Sequence, residues 1–199
     1  CKDKDITFNF VSSWFVYGDS EIPAKESHPC NPKGFYSITK KAAEDLLISF
    51  CKTFEIEYRI FRLSNVIGKG DKFSKKKNAL NYLAERIAND EDIGLYYGGD
   101  FIRDYIHVDD VCRALKIAMS DAPINQILNI GSGNPYVFRD LIKRLVEFTG
   151  SKSLISPIDP PEFHNLVQVK DMYLDTTNLQ NLGFSTEISI DSALSELVS

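Results

Sequence analysis

The sequence predicts an α/β fold, a parallel or mixed sheet with helices on its faces. Short apolar, β-branched runs alternate along the chain with segments of roughly 10 to 18 residues whose apolar positions recur at helical period, the pattern of strands joined by crossover helices. The composition agrees: 43% of the 199 residues are hydrophobic and 26% charged, enough to bury a sizeable core and too little bias for disorder, collagen-like repeats or a disulfide-stapled miniprotein.

Taken in order, Ile6 to Ser12 reads as a buried strand ending in Ser12-Ser13. A loop bearing Pro and Gly runs from Gly18 to Gly34, and a helix follows over Tyr36 to Thr53, where Ala43, Leu46, Leu47 and Phe50 share one apolar face. Tyr58 to Leu63 is the next strand. Beyond the turn residues Gly68 and Gly70 and the lysine run Lys75-Lys76-Lys77, Asn78 to Ala88 reads as helix and Ile93 to Tyr97 as strand. Phe101 to Val108 alternates as a strand does, with His107 packed within it. Asp109 to Ser120 is a helix whose acidic first turn suits the helix dipole. Gln126 to Ile130 is a strand closed by Gly131-Ser132-Gly133, and Phe138 to Thr149 is a helix ended by Gly150. The tail carries Pro157, Pro160 and Pro161 and a short helix near Asp191 to Val198.

Charge and residue usage narrow the function. A net charge of -5 argues against nucleic acid as the partner, because phosphate binding wants a basic face. No apolar run reaches the roughly 18 to 20 residues of a membrane helix, and the first residues are charged, so no membrane partner and a cytoplasmic location are expected. The cysteines Cys1, Cys30, Cys51 and Cys112 are too widely spaced for a zinc or redox pair and read as reduced thiols; no metal site is expected.

One spacing carries chemistry. Tyr36 and Lys40 stand four residues apart on one helix face. A phenol is a poor base at neutral pH and an ammonium beside it stabilises the phenolate, while a hydroxyl from the preceding strand end, Ser13, can bond the same substrate oxygen. A lone Tyr-x-x-x-Lys means little in a chain with 9 Tyr and 16 Lys, where chance supplies such spacings, so its context must discriminate.

That context is an ordered series: Val11-Ser12-Ser13-Trp14-Phe15-Val16-Tyr17-Gly18, Asn31-Pro32, Tyr36-Ser37-Ile38-Thr39-Lys40, Arg62-Leu63-Ser64-Asn65-Val66-Ile67-Gly68, Arg103-Asp104-Tyr105-Ile106-His107-Val108-Asp109-Asp110, Asn129-Ile130-Gly131-Ser132-Gly133 and Leu182-Gly183-Phe184. The series resembles the C-terminal two thirds of the extended short-chain dehydrogenase/reductases, the nucleotide-sugar epimerase/dehydratase family, over essentially the whole chain. The resemblance implies a catalytic set of Ser13, Tyr36 and Lys40, and a cofactor, NAD or NADP with NAD favoured, held by Ser12, Ser13, Tyr36, Lys40 and Ser64. It implies a nucleotide-diphosphate sugar held by Asn65, Asn78, Tyr96 and Arg103, the guanidinium pairing with the diphosphate. A homodimer through the Tyr-x-x-x-Lys helix is a further implication.

Three departures stand out. At the two positions where the family's 4,6-dehydratases carry an Asp-Glu acid/base pair this chain has Trp14-Phe15, which cannot transfer protons, so dehydration is disfavoured. In place of the family's Arg-x-Gly-Asp segment stand Pro160 to His164 and Lys170-Asp171. No glycine-rich dinucleotide turn precedes Ser12, and the chain opens on Cys rather than Met, so it reads as a fragment. The expected fold is therefore the C-terminal part of a doubly wound Rossmann sheet with an interleaved small α+β substrate-binding subdomain. Residues 1–65 would complete the dinucleotide domain and 66–199 would be mostly substrate-binding, with 104–133 returning to the sheet. The expected function is an NAD(P)-dependent nucleotide-sugar epimerase or related reductase, and the alternative is a non-catalytic binding or assembly module of the same fold.

Overall fold

A computed structural model describes residues 6–70 and 78–199; Cys1 and the run Lys75-Lys76-Lys77 lie outside the described residues. The elements run β1 (Thr7–Ser13), α1 (Phe35–Thr53), β2 (Glu57–Leu63), β3 (Asn65–Ile67), α2 (Ala79–Ala88), β4 (Ile93–Tyr96), β5 (Ile102–Arg103), β6 (Tyr105–His107), α3 (Val108–Asp121), β7 (Gln126–Ile130), β8 (Tyr136–Val137), α4 (Phe138–Thr149), β9 (Ile155–Ile158), α5 (Glu162–Val167), α6 (Thr177–Gln180) and α7 (Ile190–Leu197). A short 3-10 helix, Trp14–Tyr17, follows β1 directly.

The principal sheet is parallel in the order β1-β2-β7, and alternation along β2 explains its two covered faces. Tyr58 and Ile60 point to one side and pack with Cys51, Leu47 and Ile48 of α1. Phe61 points to the other, where it joins Leu128 and Ile130 of β7 and Val111, Ala114 and Ala118 of α3. Helices on both faces of a parallel sheet make the doubly wound arrangement that the sequence predicts. A second core gathers Leu80, Leu83, Ala84 and Ile87 of α2, Ile93 and Leu95 of β4, Leu141, Ile142 and Leu145 of α4 and Ala193 and Leu194 of α7.

Four expectations need correction. The first strand is not buried throughout: Val11 is 43% exposed, because among the described residues β1 has a strand neighbour on one side only. The face of α1 that turns inward is not the predicted one. Leu46 is 71% exposed and Phe50 is exposed, whereas the fully buried positions are Ser37, Glu44 and Cys51. The Pro-rich tail contains a strand, β9, parallel to β4 with Pro157 opposite Leu95; among the described residues it has β4 alone as neighbour, where a missing N–H is tolerated. The stretch 101–108 is two strands, β5 paired with β8 and β6 with β3, each too short to show its partner in sequence.

Glu44 is buried because Arg62 meets it. Arg62 Nε and Nη2 donate to Oε1 and Oε2 at 3.1 and 2.7 Å, and the two side chains are 3% and 1% exposed. Burial works against the Arg62 charge, but the Glu44 carboxylate and the Tyr17 phenol together more than offset it and raise the guanidinium pKa. Register aligns Ser12, Arg62 and Asn129 in one row across the sheet. The Tyr17 ring lies 4.6 Å from the guanidinium carbon, and its hydroxyl donates to Asn129 Oδ1 at 2.6 Å. Burial pushes the Tyr17 phenol up to about 12 against the opposing pull of Arg62. Asn129 Nδ2 donates onward to the Ala24 and Asp175 carbonyls at 2.9 and 3.0 Å, so one polar chain ties α1, the sheet, the 18–34 loop and the tail together.

Removing one partner leaves a buried charge uncompensated. Glu44→Ala should lower unfolding free energy by about 3 to 5 kcal/mol, and the double change Glu44→Leu with Arg62→Met should recover much of that loss. Chemical denaturation at neutral pH measures both, and a loss below about 1 kcal/mol for Glu44→Ala contradicts the assignment.

Candidate active site

Ligands of open parallel sheets sit beyond the carboxyl ends of the strands, and this is where the predicted residues gather. Ser13 is the last residue of β1 and is buried; its Oγ accepts from Phe15 N at 3.4 Å and caps the 3-10 helix. Gly18 ends that turn at φ 62°, and a Cβ there would lie 1.7 Å from the Asn31 carbonyl, so only glycine lets the 18–34 loop return against the strand end. The returning loop delivers the start of α1, with Tyr36 in its first turn, 56% exposed. Lys40, one turn on, donates from Nζ to the Val11 carbonyl of β1 at 2.9 Å and stands 5.9 Å from the Tyr36 ring centroid. Ser13, Tyr36 and Lys40 thus meet around one strand end. The Phe15 ring stands edge-on to that of Tyr36 at 6.0 Å.

Ser12 and Ser64, at the carboxyl ends of β1 and β2, bury their hydroxyl oxygens without a hydrogen-bond partner. The Ser64 N–H is engaged by the Ile130 carbonyl at 2.8 Å. Asn65 donates from its main-chain N and from Nδ2 to the Asp104 carbonyl at 3.1 and 2.9 Å, which joins β3 to the start of β6. Asn78 caps α2, its Oδ1 accepting from Leu80 N at 3.1 Å and its Nδ2 donating to the Val66 carbonyl at 2.9 Å. Tyr96 ends β4 with its ring 4.7 Å from that of His164 on α5. His107 is buried; its Nδ1 accepts from Asp109 N at 3.2 Å and its Nε2 lies 3.1 Å from Glu196.

Arg103 forms no ion pair with Asp104 or Asp109 among the described contacts. Its Nη1 donates to the Ile102 carbonyl at 2.8 Å and to that of Lys170, and its Nη2 donates to the Val169 carbonyl at 2.8 Å. The guanidinium lies over Trp14 and Phe101, 5.4 and 4.7 Å from their ring centroids, and burial draws its pKa below the ordinary value. Trp14, 2% exposed, is core rather than pocket, packed with Ala24, Val169, Met172 and Leu174. Segment 162–170 therefore straps across from Tyr96 to Arg103, and burial together with the Arg103 charge lowers the His164 pKa.

Asp104 was not among the predicted site residues, though it lies inside the motif that names Arg103. Fully buried, it accepts from Ser132 N and Oγ at 3.0 and 2.7 Å, from Gly133 N at 3.2 Å and from Leu174 N at 3.3 Å. Burial raises its pKa, and these donors partly offset the rise. A Cβ on Gly131 would stand 2.5 Å from its Oδ2, so that glycine is required for contact. No cluster of three or more His, Cys, Asp or Glu able to hold a metal occurs among the described residues. No helix among them is long and apolar enough to cross a membrane.

Compared with known families, residues 1–131 match the NAD dependent epimerase/dehydratase family. The chain belongs to that family. Among solved structures it is similar to the UDP-glucose 4-epimerase of Thermotoga maritima, 27% identical with a TM-score of 0.87, covering 96% of this chain and 62% of that one. Among curated family members it is 32% identical over 149 residues to the dTDP-glucose 4,6-dehydratase of Mycolicibacterium smegmatis, covering 70% of this chain and 44% of that protein. It is 26% identical over 184 residues to the dTDP-4-dehydro-6-deoxyglucose reductase of Escherichia coli, covering 92% of this chain and 57% of that protein. The chain spans roughly three fifths of the length of the curated family members it matches over most of its own length.

The Arg103 contacts give a test. Arg103→Gln should raise amide exchange across 162–170 by at least about tenfold while β1 and β2 keep their protection, because local segments open independently once their ties are cut. Unchanged exchange there means that Arg103 does not hold the strap.

Proposed function

We propose that this chain forms the catalytic and substrate-holding part of an NAD(P)-dependent nucleotide-sugar epimerase or related reductase, with NAD favoured. The observation that carries the reading is the meeting of Ser13, Tyr36 and Lys40 at one strand end, from β1 and from a helix pinned back onto it. Residues 1–65 complete the dinucleotide-binding sheet, and 66–199, apart from 104–133, hold mainly the sugar nucleotide.

Ser12, Ser13, Tyr36, Lys40 and Ser64 are the residues that would hold the cofactor. The two orphaned buried hydroxyls, Ser12 Oγ and Ser64 Oγ, fit a ligand rich in hydrogen-bonding groups at the sheet's carboxyl edge. A nicotinamide cofactor held there would supply hydride-transfer chemistry at the sugar carbinol carbon. Tyr36 takes the hydroxyl proton of that carbinol and Ser13 Oγ hydrogen-bonds the same oxygen as its charge changes. Lys40 Nζ, held on the Val11 carbonyl 5.9 Å from the Tyr36 ring centroid, would hold the cofactor beside the phenol. Hydride delivered to the opposite face of the carbonyl carbon, with Tyr36 returning its proton to the carbonyl oxygen, would complete an epimerisation; hydride from the reduced cofactor to the carbon of a supplied ketone, with the Tyr36 proton going to its oxygen, would complete a reduction.

Asn65, Tyr96 and Arg103 would line the sugar nucleotide. Asn78 contributes by fixing the start of α2, since both its amide functions are already engaged. Arg103 exchanges backbone carbonyls for phosphate oxygens, a trade of neutral for charge-assisted hydrogen bonds. The exposed Ile38, Leu46 and Phe50 of α1 support a homodimer through this helix.

In the full-length protein supplied with NAD, Tyr36→Phe should lower kcat by about 10² to 10⁴ with little change in KM, the size of a lost general base. Ser13→Ala should lose about 10- to 10³-fold. Turnover of nucleotide sugars by HPLC measures both; Tyr36→Phe within tenfold of the parent overturns the reading.

A further inference from the structure

The sheet face under α3 is not filled along its whole length. On β2, Arg59 and Phe61 point to that face, and their register partners on β7 are Gln126 and Leu128. At the amino end of these strands a cavity of about 210 Å³ opens, walled by those four residues, by the end of α3, and by Asn181 and Leu182 after α6. Leu63 ends β2 about 13 Å further along, at roughly 3.3 Å per residue, so the cavity and the meeting point of Ser13, Tyr36 and Lys40 lie at opposite ends of the sheet.

Arg59 is 9% exposed, and its Nε donates to the Ala122 carbonyl at 2.9 Å. Among the described residues it forms no ion pair, neither Nη atom has a hydrogen-bond partner, and no acidic residue lines the cavity. A guanidinium keeps its proton at neutral pH and presents its N–H donors as a planar fork. Removing that charge from water is costly unless an opposite charge meets it, as Glu44 meets Arg62 on the same strand. Arg59 has open space where such a partner fits.

The rest of the wall selects the anion. Arg59 is the only cation lining the cavity among the described residues, and one guanidinium matches one carboxylate through two parallel hydrogen bonds. A phosphate dianion would keep a charge that nothing in the wall neutralises. Phe61, Leu128 and Leu182 reward an apolar body, while Gln126 and Asn181 are exposed. A cavity of roughly 150 Å³ holds a benzene, so this one admits a carboxylate on a single small ring and is too small for a dinucleotide.

We propose that this cavity is a second binding site, for a small monocarboxylic acid with a compact apolar body, its carboxylate held by Arg59 Nη1 and Nη2. The inference does not depend on the reading of Tyr36.

Benzoate is the probe, titrated into the full-length protein at neutral pH and constant ionic strength while amide and Arg59 Nε–H chemical shifts are followed. Saturable shifts should appear at Ala122, Gln126 to Leu128 and Asn181 to Leu182, with Kd of about 1 mM or tighter. Benzamide keeps the shape without the charge, and acetate the charge without the ring; each should bind at least about tenfold more weakly, as should inorganic phosphate. Arg59→Gln should weaken benzoate at least about tenfold. Leu182→Trp, which fills the space from its rim and leaves the charge in place, should do the same, and the comparison of probes needs no variant to fold. Benzamide or phosphate binding as tightly as benzoate, shifts confined to the surroundings of Ser13 and Tyr36, or no saturable shift overturns the proposal.

Discussion

The buried ion pair between Glu44 and Arg62 is the constraint on which the site depends. A carboxylate and a guanidinium removed from water lose several kcal/mol each in hydration, and the bidentate geometry with its 2.7 Å contact is what offsets that loss. Because Glu44 lies on α1 and Arg62 on β2, the pair is satisfied only when the helix lies in one rotation on the sheet. That rotation turns Tyr36 and Lys40, two turns and one turn back along the same helix, towards the end of β1. The tyrosine that stacks on Arg62 and the asparagine that accepts from it extend the constraint to the loop and the tail.

A second buried charge organises the other side of the strand ends. Asp104 accepts four hydrogen bonds from the turn after β7 and from Leu174, and its own carbonyl receives both donors of Asn65. The Gly131-Ser132-Gly133 turn, which by its glycines resembles half of a phosphate loop, thus has its N–H groups of residues 132 and 133 turned towards a carboxylate of the chain itself. Its glycines serve close approach, since a Cβ on Gly131 would strike that carboxylate. The contrast with Arg103, one residue earlier, is instructive. Asp104 is saturated and structural, while Arg103 holds backbone carbonyls that a phosphate can replace.

The aromatic pair after Ser13 divides its work between packing and pocket. Trp14 turns into the core against the tail and carries the Arg103 guanidinium on its outer face, whereas Phe15 turns towards Tyr36. Two adjacent residues in a 3-10 turn point in different directions, so one anchors the tail segment 169–174 and the other stands beside the phenol.

Much of this was legible in the chain itself. The alternation of strands and helices, the glycine after α4 and the ordered motifs around Ser13, Tyr36, Ser64 and Arg103 are local features, written in neighbouring residues, and they led to the family and to the candidate site. What they could not reveal depends on partners distant in sequence. Periodicity treats Glu44 as a solvent-facing residue and Leu46 as a core one. The reverse holds because Arg62, 18 positions away, makes the carboxylate's burial tolerable, while the rotation that this pairing imposes leaves Leu46 71% exposed. Strands of two or three residues, and a proline-bearing strand beside β4, have no pattern long enough to read. Local propensity is a property of a segment, but the burial of a charge and the pairing of an edge are properties of two segments together, and only the folded chain brings those two together.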